Sequence, residues 1–144
     1  MKILVLATVM IMALSCMAFA AEKPQKQVDY KNAARQAGLR GKKLREAAPE
    51  TMQAFGGLAG AVLKEGALSL KTKELIALML GLQAHCEMCI NSHVQNAIKA
   101  GVTREELVEA LGVAVLMGGG PSSAYAGIVL EAYDQFSASN KSLT

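Results

Sequence analysis

Four side chains that can bind metals or carry out redox chemistry lie within nine residues, HCEMCINSH, residues 85 to 93. They are His85, Cys86, Cys89 and His93, and they could form a metal site, a structural disulfide or a redox-active dithiol. On a helix that begins at Cys86, the two cysteines and His93 fall within a sector of about 60°. Cys89 and His93 therefore share one face, whereas His85 lies outside it at a turn.

The position of the cysteine pair favours redox chemistry. A disulfide between Cys86 and Cys89 can form at the start of a helix, where unpaired N–H groups and a neighbouring histidine both stabilise a thiolate. A bridge between residues so close in sequence removes little entropy from the unfolded chain, so it is a poor structural link. Zinc could bind both thiolates with His93 and either His85 or Glu74. Because only one C-x2-C pair is present and an oxidising compartment competes for the thiols, we predict no metal. Dithiol chemistry requires no organic cofactor, and we predict none.

A carboxylate from outside this stretch can complete the site. Glu74 opens the preceding helix, and a short turn near residues 83–85 would fold the next helix back along it. In that antiparallel hairpin Glu74 lies opposite Asn96, less than one turn from His93. A relay is then allowed in which the carboxylate orients the imidazole and the imidazole takes the thiol proton. Two simpler roles stay open: Glu74 could stabilise the positive end of its helix, and His85 could cap that helix's other end.

The first twenty residues, MKILVLATVMIMALSCMAFA, have the pattern of a secretory signal peptide. They contain a lysine, an apolar run and a small-residue cleavage site. Cleavage after Ala20 would leave one small domain, Ala21 to Thr144. The sequence thus predicts an exported protein, periplasmic or secreted, in a compartment that oxidises thiols. Retention of the leader as an anchor and lipidation at Cys16 are weaker alternatives, and no later segment is predicted to span a membrane.

Residues 21–48 are predicted to form a basic arm or a loosely attached first helix. From Glu22 to Arg45 there are eight Lys or Arg against two acidic residues, in a chain of net charge +3. Tyr30 is the one aromatic residue of this stretch, which therefore lacks the interleaved aromatics of a nucleic-acid-binding surface. We predict no nucleic-acid partner.

The rest of the sequence predicts an all-α domain over residues 49–137, because helix-forming residues dominate and no segment alternates apolar and polar side chains. Apolar residues surround the second predicted helix, which places it at the centre of the fold or in an oligomer interface. The predicted helices span 50–64, 70–83, 86–100, 103–117 and 122–136, and a disordered tail follows at 138–144.

Cap and break signals set these bounds. Ser69 is a predicted N-cap, and Thr103 with the glutamate three residues later is a predicted capping box. Gly66 and Gly101 are predicted left-handed C-terminal caps. The run of three glycines and a proline at 118–121 is predicted to end the fourth helix.

The motif E-x11-C-x2-C-x3-H, formed by Glu74, Cys86, Cys89 and His93, resembles the AhpD-like branch of the carboxymuconolactone decarboxylase superfamily. The resemblance extends over residues 58–136. It implies an all-helical fold with a core antiparallel helix hairpin, assembled as homotrimers or homohexamers. By position, Cys89 would be the attacking thiol, Cys86 the resolving thiol, and Glu74 with His93 the proton relay. Family members often have an aromatic residue between the cysteines, where this chain has Glu87-Met88.

The resemblance and the motif together predict an exported thiol-dependent peroxidase or thiol–disulfide oxidoreductase. Its substrate would be a small hydroperoxide, and an external dithiol would be its reductant. Two other interpretations stay open. One is a decarboxylase-like lyase that uses Glu74 and His93 without the thiols; the other is a non-catalytic metal-binding oligomer.

Overall fold

The structure is a computed structural model that describes the backbone of residues 28–141 and the side chains of residues 28–138. The predicted signal peptide, residues 1–20, lies outside the described residues, as does the segment 142–144. Within the described range the chain is helical and has no β-strand, which confirms the predicted all-α fold. This range contains the helices α1 Tyr30–Ala47, α2 Pro49–Val62, α3 Leu70–Gln83, α4 Glu87–Lys99 and α5 Arg104–Lys141.

The core lies where α3, α4 and α5 pack on one another. Leu78 and Leu82 of α3 and Ile90 and Val94 of α4 are fully buried. Each pair is four residues apart, so each helix presents one apolar face to the other. These contacts hold α3 and α4 together as the predicted hairpin. The core also contains Tyr30, Ala97, Val102, Leu107, Leu111, Ala114, Val129, Ala132 and Tyr133.

Three of the predicted helix caps are confirmed. The Ser69 side chain accepts a hydrogen bond from the Thr72 N–H at the start of α3. Gly101 ends α4 with a φ of 81°. In the capping box before α5, the Glu106 N–H donates to the Thr103 hydroxyl and the Thr103 N–H donates to the Glu106 carboxylate.

The predicted cap at Gly66 is wrong. α2 ends at Val62 and its cap residue, Leu63, has a φ of −86°, so the helix ends without a left-handed residue. The ammonium group of Lys73 donates to the carbonyls of Val62, at 3.0 Å, and Lys64, at 2.7 Å. A side chain from α3 thereby satisfies carbonyls at the end of α2, as a cation near a helix C-terminus can do.

α5 is broken at Gly119, whose φ of 64° and ψ of −145° are not helical, as the glycine run predicted. Pro121 follows and has no N–H to donate. Gln83, the last residue of α3, bridges the break. Its Nε2 donates to the Ala114 carbonyl at 2.8 Å and its Oε1 accepts from the Ser122 hydroxyl at 2.9 Å. One side-chain amide thus ties both halves of α5 to the end of α3.

The C-terminal half of α5 runs further than predicted. The helix continues to Lys141, so the segment predicted as a disordered tail is helical over residues 138–141. Neither Gly nor Pro, the residues that most disfavour a helix interior, occurs in this segment.

One helix of the described chain, Arg104–Ala138, is long and apolar enough to cross a membrane by length and composition. The core helix of a folded domain meets the same criteria, so the absence of a membrane span after the leader stays a prediction. Leu107, Leu111 and Val129 of this helix lie in the protein core, and Gly119 interrupts it. These three residues thus contribute to a folded helical core, whereas Leu116 and Met117 of the same helix are exposed.

The basic segment 21–48 is a helix over residues 30–47, and its first residue anchors it. Tyr30 is 6% exposed, its N–H donates to Gln135 at 3.0 Å, and its hydroxyl donates to the Glu131 carboxylate at 3.2 Å. The N-terminus of α1 is therefore fixed to the second half of α5, while its basic residues face solvent.

Stability at alkaline pH should depend on Tyr30. Burial, and next the charge of Glu131, raise the pKa of Tyr30 from 10.0 to about 12. Above pH 10 this phenol ionises in the unfolded chain before it does so in the native state. The free energy of unfolding should therefore fall by about 2 kcal/mol between pH 10 and 12. Urea unfolding of the wild type and Tyr30→Phe over pH 8–12 measures this loss. The advantage of the wild type in free energy of unfolding should shrink between pH 10 and 12. A pH-independent difference would contradict the prediction.

Three helices leave apolar side chains uncovered. No residue of α2 is buried, and within the described chain α2 packs on α1 and is contacted at its end by Lys73 of α3. Ile76 and Leu80 of α3 are exposed, so the predicted burial of this helix on all sides is not met in a single chain. The most exposed of these side chains are Leu116 81%, Met117 78%, Leu80 65%, Phe55 63%, Leu58 61% and Val113 61%.

Candidate active site

The turn between α3 and α4 gives Cys86 two structural roles. The Cys86 N–H donates to the Gly81 carbonyl at 3.0 Å and the His85 N–H donates to the Leu82 carbonyl at 2.9 Å. This pair of bonds is a Schellman motif that ends α3, with His85 as its left-handed residue, φ 52°. Cys86 is also the N-cap of α4, where its sulfur accepts from the Cys89 N–H at 3.2 Å. One cysteine therefore ends one helix and begins the next.

Cys86 and Cys89 form a disulfide, with their Cα atoms 5.2 Å apart. Both residues are partly exposed, so an external thiol can reach the bridge. The bridge lies at the N-terminus of α4, where the positive end of the helix dipole stabilises a thiolate after reduction. The sequence placed both cysteines correctly at a helix start, with Cys86 as the cap and not the first helical residue.

Glu74 and His93 meet across the hairpin, as its geometry predicted. A Glu74 carboxylate oxygen lies 2.7 Å from His93 Nδ1. Glu74 is 3% exposed and the His93 side chain is 25% exposed. Since a buried carboxylate needs a partner, this contact fixes the imidazole and leaves Nε2 as the nitrogen free to exchange a proton. Cys89 precedes His93 by one helical turn on the same face of α4.

Gly81 permits α3 to approach Cys89 closely. A Cβ atom at residue 81 would lie 3.0 Å from the Cys89 Cβ, which is closer than packed carbon atoms normally come. The absence of a side chain at this position thus brings the buried face of α3 against the disulfide.

Gly81→Ala should destabilise the fold by about 1–2 kcal/mol, because overpacking outweighs the helix propensity that alanine adds. The matched control is Gly112→Ala in α5, where a Cβ would meet no atom within 4 Å. That variant should gain up to about 1 kcal/mol. Urea unfolding of both variants checks the prediction, and equal effects at the two positions would contradict it.

His85 does not join the relay but stacks on Tyr125. The two rings have centroids 4.3 Å apart and an interplanar angle of 14°. Tyr125 belongs to the half of α5 after Gly119, forty residues along the chain. The sequence indicated that His85 lies at a turn, but no local signal identified its aromatic partner. The expected role of His85 as a cap of α3 is met by its backbone, not by its ring.

Within residues 28–138 no group of three or more His, Cys, Asp or Glu side chains is arranged to hold a metal ion. A zinc site that used both thiolates would first require reduction of the disulfide. The groups that the hairpin brings together are the cysteine pair, the imidazole of His93 and the buried carboxylate of Glu74.

The protein is thus a small all-helical domain with a disulfide at the start of one helix and a carboxylate–imidazole pair beside it. A model of the carboxymuconolactone decarboxylase family matches residues 49–132. The chain belongs to this family. Among sequence relatives, an uncharacterized protein from Cupriavidus necator is 39% identical over 95 residues, which are 66% of this chain and 84% of that protein.

Solved structures show the same fold. A carboxymuconolactone decarboxylase family protein from Legionella pneumophila is 46% identical, with a TM-score of 0.73, and the match covers 75% of this chain and 96% of that one. A family protein from Thermotoga maritima, for which a part in an antioxidative response has been suggested, has a TM-score of 0.69 and 24% identity. That match covers 76% of this chain and 94% of the other, and its likeness concerns the fold alone.

Proposed function

We propose that this chain is an exported thiol-dependent peroxidase or thiol–disulfide oxidoreductase of the AhpD-like branch of its family. The observation that carries the proposal is the contact of 2.7 Å between Glu74 and His93, one turn beyond a disulfide that begins the same helix. A structural disulfide would need no base beside it, whereas a redox-active pair needs one to make its thiolate.

The reaction begins with the reduced pair. The Cys89 thiolate attacks the terminal oxygen of a hydroperoxide, so that an S–O bond forms, the O–O bond breaks, and the departing alkoxide takes a proton from His93. Cys89 is then a sulfenic acid. The Cys86 thiolate attacks the Cys89 sulfur, forming the disulfide and releasing hydroxide, which leaves as water after protonation. An external dithiol reduces the bridge by exchange and is itself oxidised.

In this reaction Glu74 acts on the thiol only through His93. Its negative charge stabilises the imidazolium that forms when His93 accepts the thiol proton. The contact also fixes Nδ1 as the nitrogen that faces the carboxylate, which leaves Nε2 for proton transfer. The two residues thus supply a proton where the alkoxide leaves.

Export and self-association are parts of the same proposal. The leader pattern at residues 1–20 supports export, and an oxidising compartment would return the pair to the disulfide. The exposed apolar side chains of α2, α3 and α5 support assembly into a homotrimer or homohexamer, since a soluble monomer rarely exposes large apolar patches.

Peroxide-driven oxidation of the reduced pair tests the function. The protein is reduced with dithiothreitol, freed of reductant and mixed with one equivalent of cumene hydroperoxide. Mass spectrometry should show loss of two hydrogens on the peptide that contains Cys86 and Cys89, with one equivalent of alcohol formed. With excess dithiothreitol the consumption should become catalytic. Thiols that stay reduced in the presence of peroxide would refute the peroxidase assignment.

The lyase alternative makes the opposite prediction for the thiols. A decarboxylase-like enzyme that uses Glu74 and His93 alone would keep full activity when both cysteines are replaced by serine. Stoichiometric zinc in reduced protein, lost on Cys86→Ser, would instead support the metal-binding alternative.

A further inference from the structure

His85 occupies a backbone position that normally belongs to glycine. Two Schellman motifs of the same form lie within residues 28–141. At the end of α4, the Val102 N–H donates to the Ala97 carbonyl at 2.9 Å and the Gly101 N–H to the Ile98 carbonyl at 3.1 Å. The left-handed residue there is Gly101, φ 81°, which adopts this conformation without steric cost.

At the end of α3 the equivalent residue is His85, φ 52°. It is the one non-glycine residue with positive φ in the described chain, and a side chain in this region is strained. Glycine would form the same turn more readily, so turn formation alone does not account for the imidazole. The strained residue directly precedes Cys86, whose backbone and sulfur this turn holds in place.

The imidazole of His85 stacks on Tyr125 with ring centroids 4.3 Å apart. Tyr125 is three residues beyond Ser122, which is 1% exposed and donates to Gln83 at the end of α3. The part of α5 that carries Tyr125 is therefore fixed to α3 independently of the stack. The His85 ring therefore packs on a fixed part of α5, and this contact stabilises the strained backbone of His85.

We propose that the His85–Tyr125 stack is a positioning device for the redox centre, which holds Cys86 at the start of α4 where its sulfur closes on Cys89. This inference rests on the proposed function, since it concerns how readily the dithiol closes. In the reduced protein the stack restricts the turn, so the two sulfurs keep a high effective concentration for each other. His85 and Tyr125 act through Cys86 and touch no reacting atom.

The test is the equilibrium of the disulfide with glutathione. Each protein is equilibrated in mixtures of reduced and oxidised glutathione, quenched by thiol alkylation and analysed by mass spectrometry. His85→Gly should retain the turn and melt no lower than the wild type, while its equilibrium constant for closure falls about two- to tenfold, the range that one aromatic pair provides. Tyr125→Leu should give the same fall, and Tyr125→Phe, which keeps the ring, should match the wild type.

Combining His85→Gly with Tyr125→Leu should cause no further fall, since each change removes the same contact. Asparagine tolerates the left-handed turn but has no ring to stack, so His85→Asn should give the same fall in the closure equilibrium as His85→Gly. If Tyr125→Leu does not fold, this variant tests the loss of the stack in its place. Ringless variants with the wild-type equilibrium would overturn the inference, as would additive losses in the double variant. A wild-type disulfide that does not exchange with glutathione would instead refute the proposed function.

Discussion

Cys89→Ser should abolish catalytic hydroperoxide consumption. In the proposed reaction Cys89 supplies the electrons that break the O–O bond, and a serine hydroxyl at neutral pH has no comparable nucleophilicity. We expect turnover with dithiothreitol and cumene hydroperoxide to fall by a factor on the order of 10³ or more. The fold should persist, because the disulfide closes too small a loop to contribute much stability.

Cys86→Ser is the matched control, with the same chemical change three residues away. In the absence of dithiothreitol, Cys89 should still react once and stop as a sulfenic acid, because neither a second protein thiol nor an added thiol reduces it. The variant should therefore consume one equivalent of peroxide and then trap a sulfenic-acid reagent on Cys89. Turnover by Cys89→Ser at the wild-type rate would refute the assignment of the attacking thiol. A single burst from Cys89→Ser and none from Cys86→Ser would exchange the two roles.

Glu74→Gln should slow the reaction of the reduced protein with peroxide by about 10²-fold, at the lower end of what a positioned acid–base group provides. The amide has nearly the same shape as the carboxylate and can still contact His93, but its charge is gone. A neutral amide makes a weaker hydrogen bond than a carboxylate to the imidazolium that forms during proton transfer, so removal of the thiol proton is slower. Stopped-flow measurement of the single oxidation step isolates this effect from reduction by the external dithiol.

Two further variants show whether the loss belongs to the relay. Glu106→Gln removes a carboxylate that pairs with Lys71 at 2.6 Å but is 43% exposed. It should leave the oxidation rate unchanged and have little effect on stability, because water screens this exposed ion pair. Glu74→Gln added to His93→Gln should cause little further loss, since the two residues act as one unit. Independent, multiplicative losses would show that Glu74 does not act through His93.

The site was largely predictable because its parts are close in sequence and lie on regular helices. The i, i+4 rule places Cys89 and His93 on one face, and the short turn determines the register that brings Glu74 to His93. Cap residues such as Ser69, Thr103 and Gly101 set the helix starts and ends from local chemistry alone. The predicted hairpin therefore agrees with the observed contact of 2.7 Å.

The remaining features depend on contacts between distant residues. Nothing near His85 indicates that a ring from α5 will stack on it, and nothing near Gly66 shows that Lys73 will bind the carbonyls at the end of α2. The composition of residues 21–48 predicts a solvated arm. It does not reveal the anchor at Tyr30, because Tyr30 forms hydrogen bonds to residues about a hundred positions away. The hydropathy of α3 predicted burial on every side, but Ile76 and Leu80 are exposed in the single chain.

The direct passage from α3 into α4 through Cys86 has a consequence for how the protein folds. The dithiol, its base and the carboxylate are joined by contacts of low sequence separation, 19 residues for the pair Glu74 and His93. Such contacts close with little loop entropy, and chains rich in them fold fast. The proposed reactive centre can therefore form before α1 docks on α5, so its assembly does not depend on the outermost helix of the described chain.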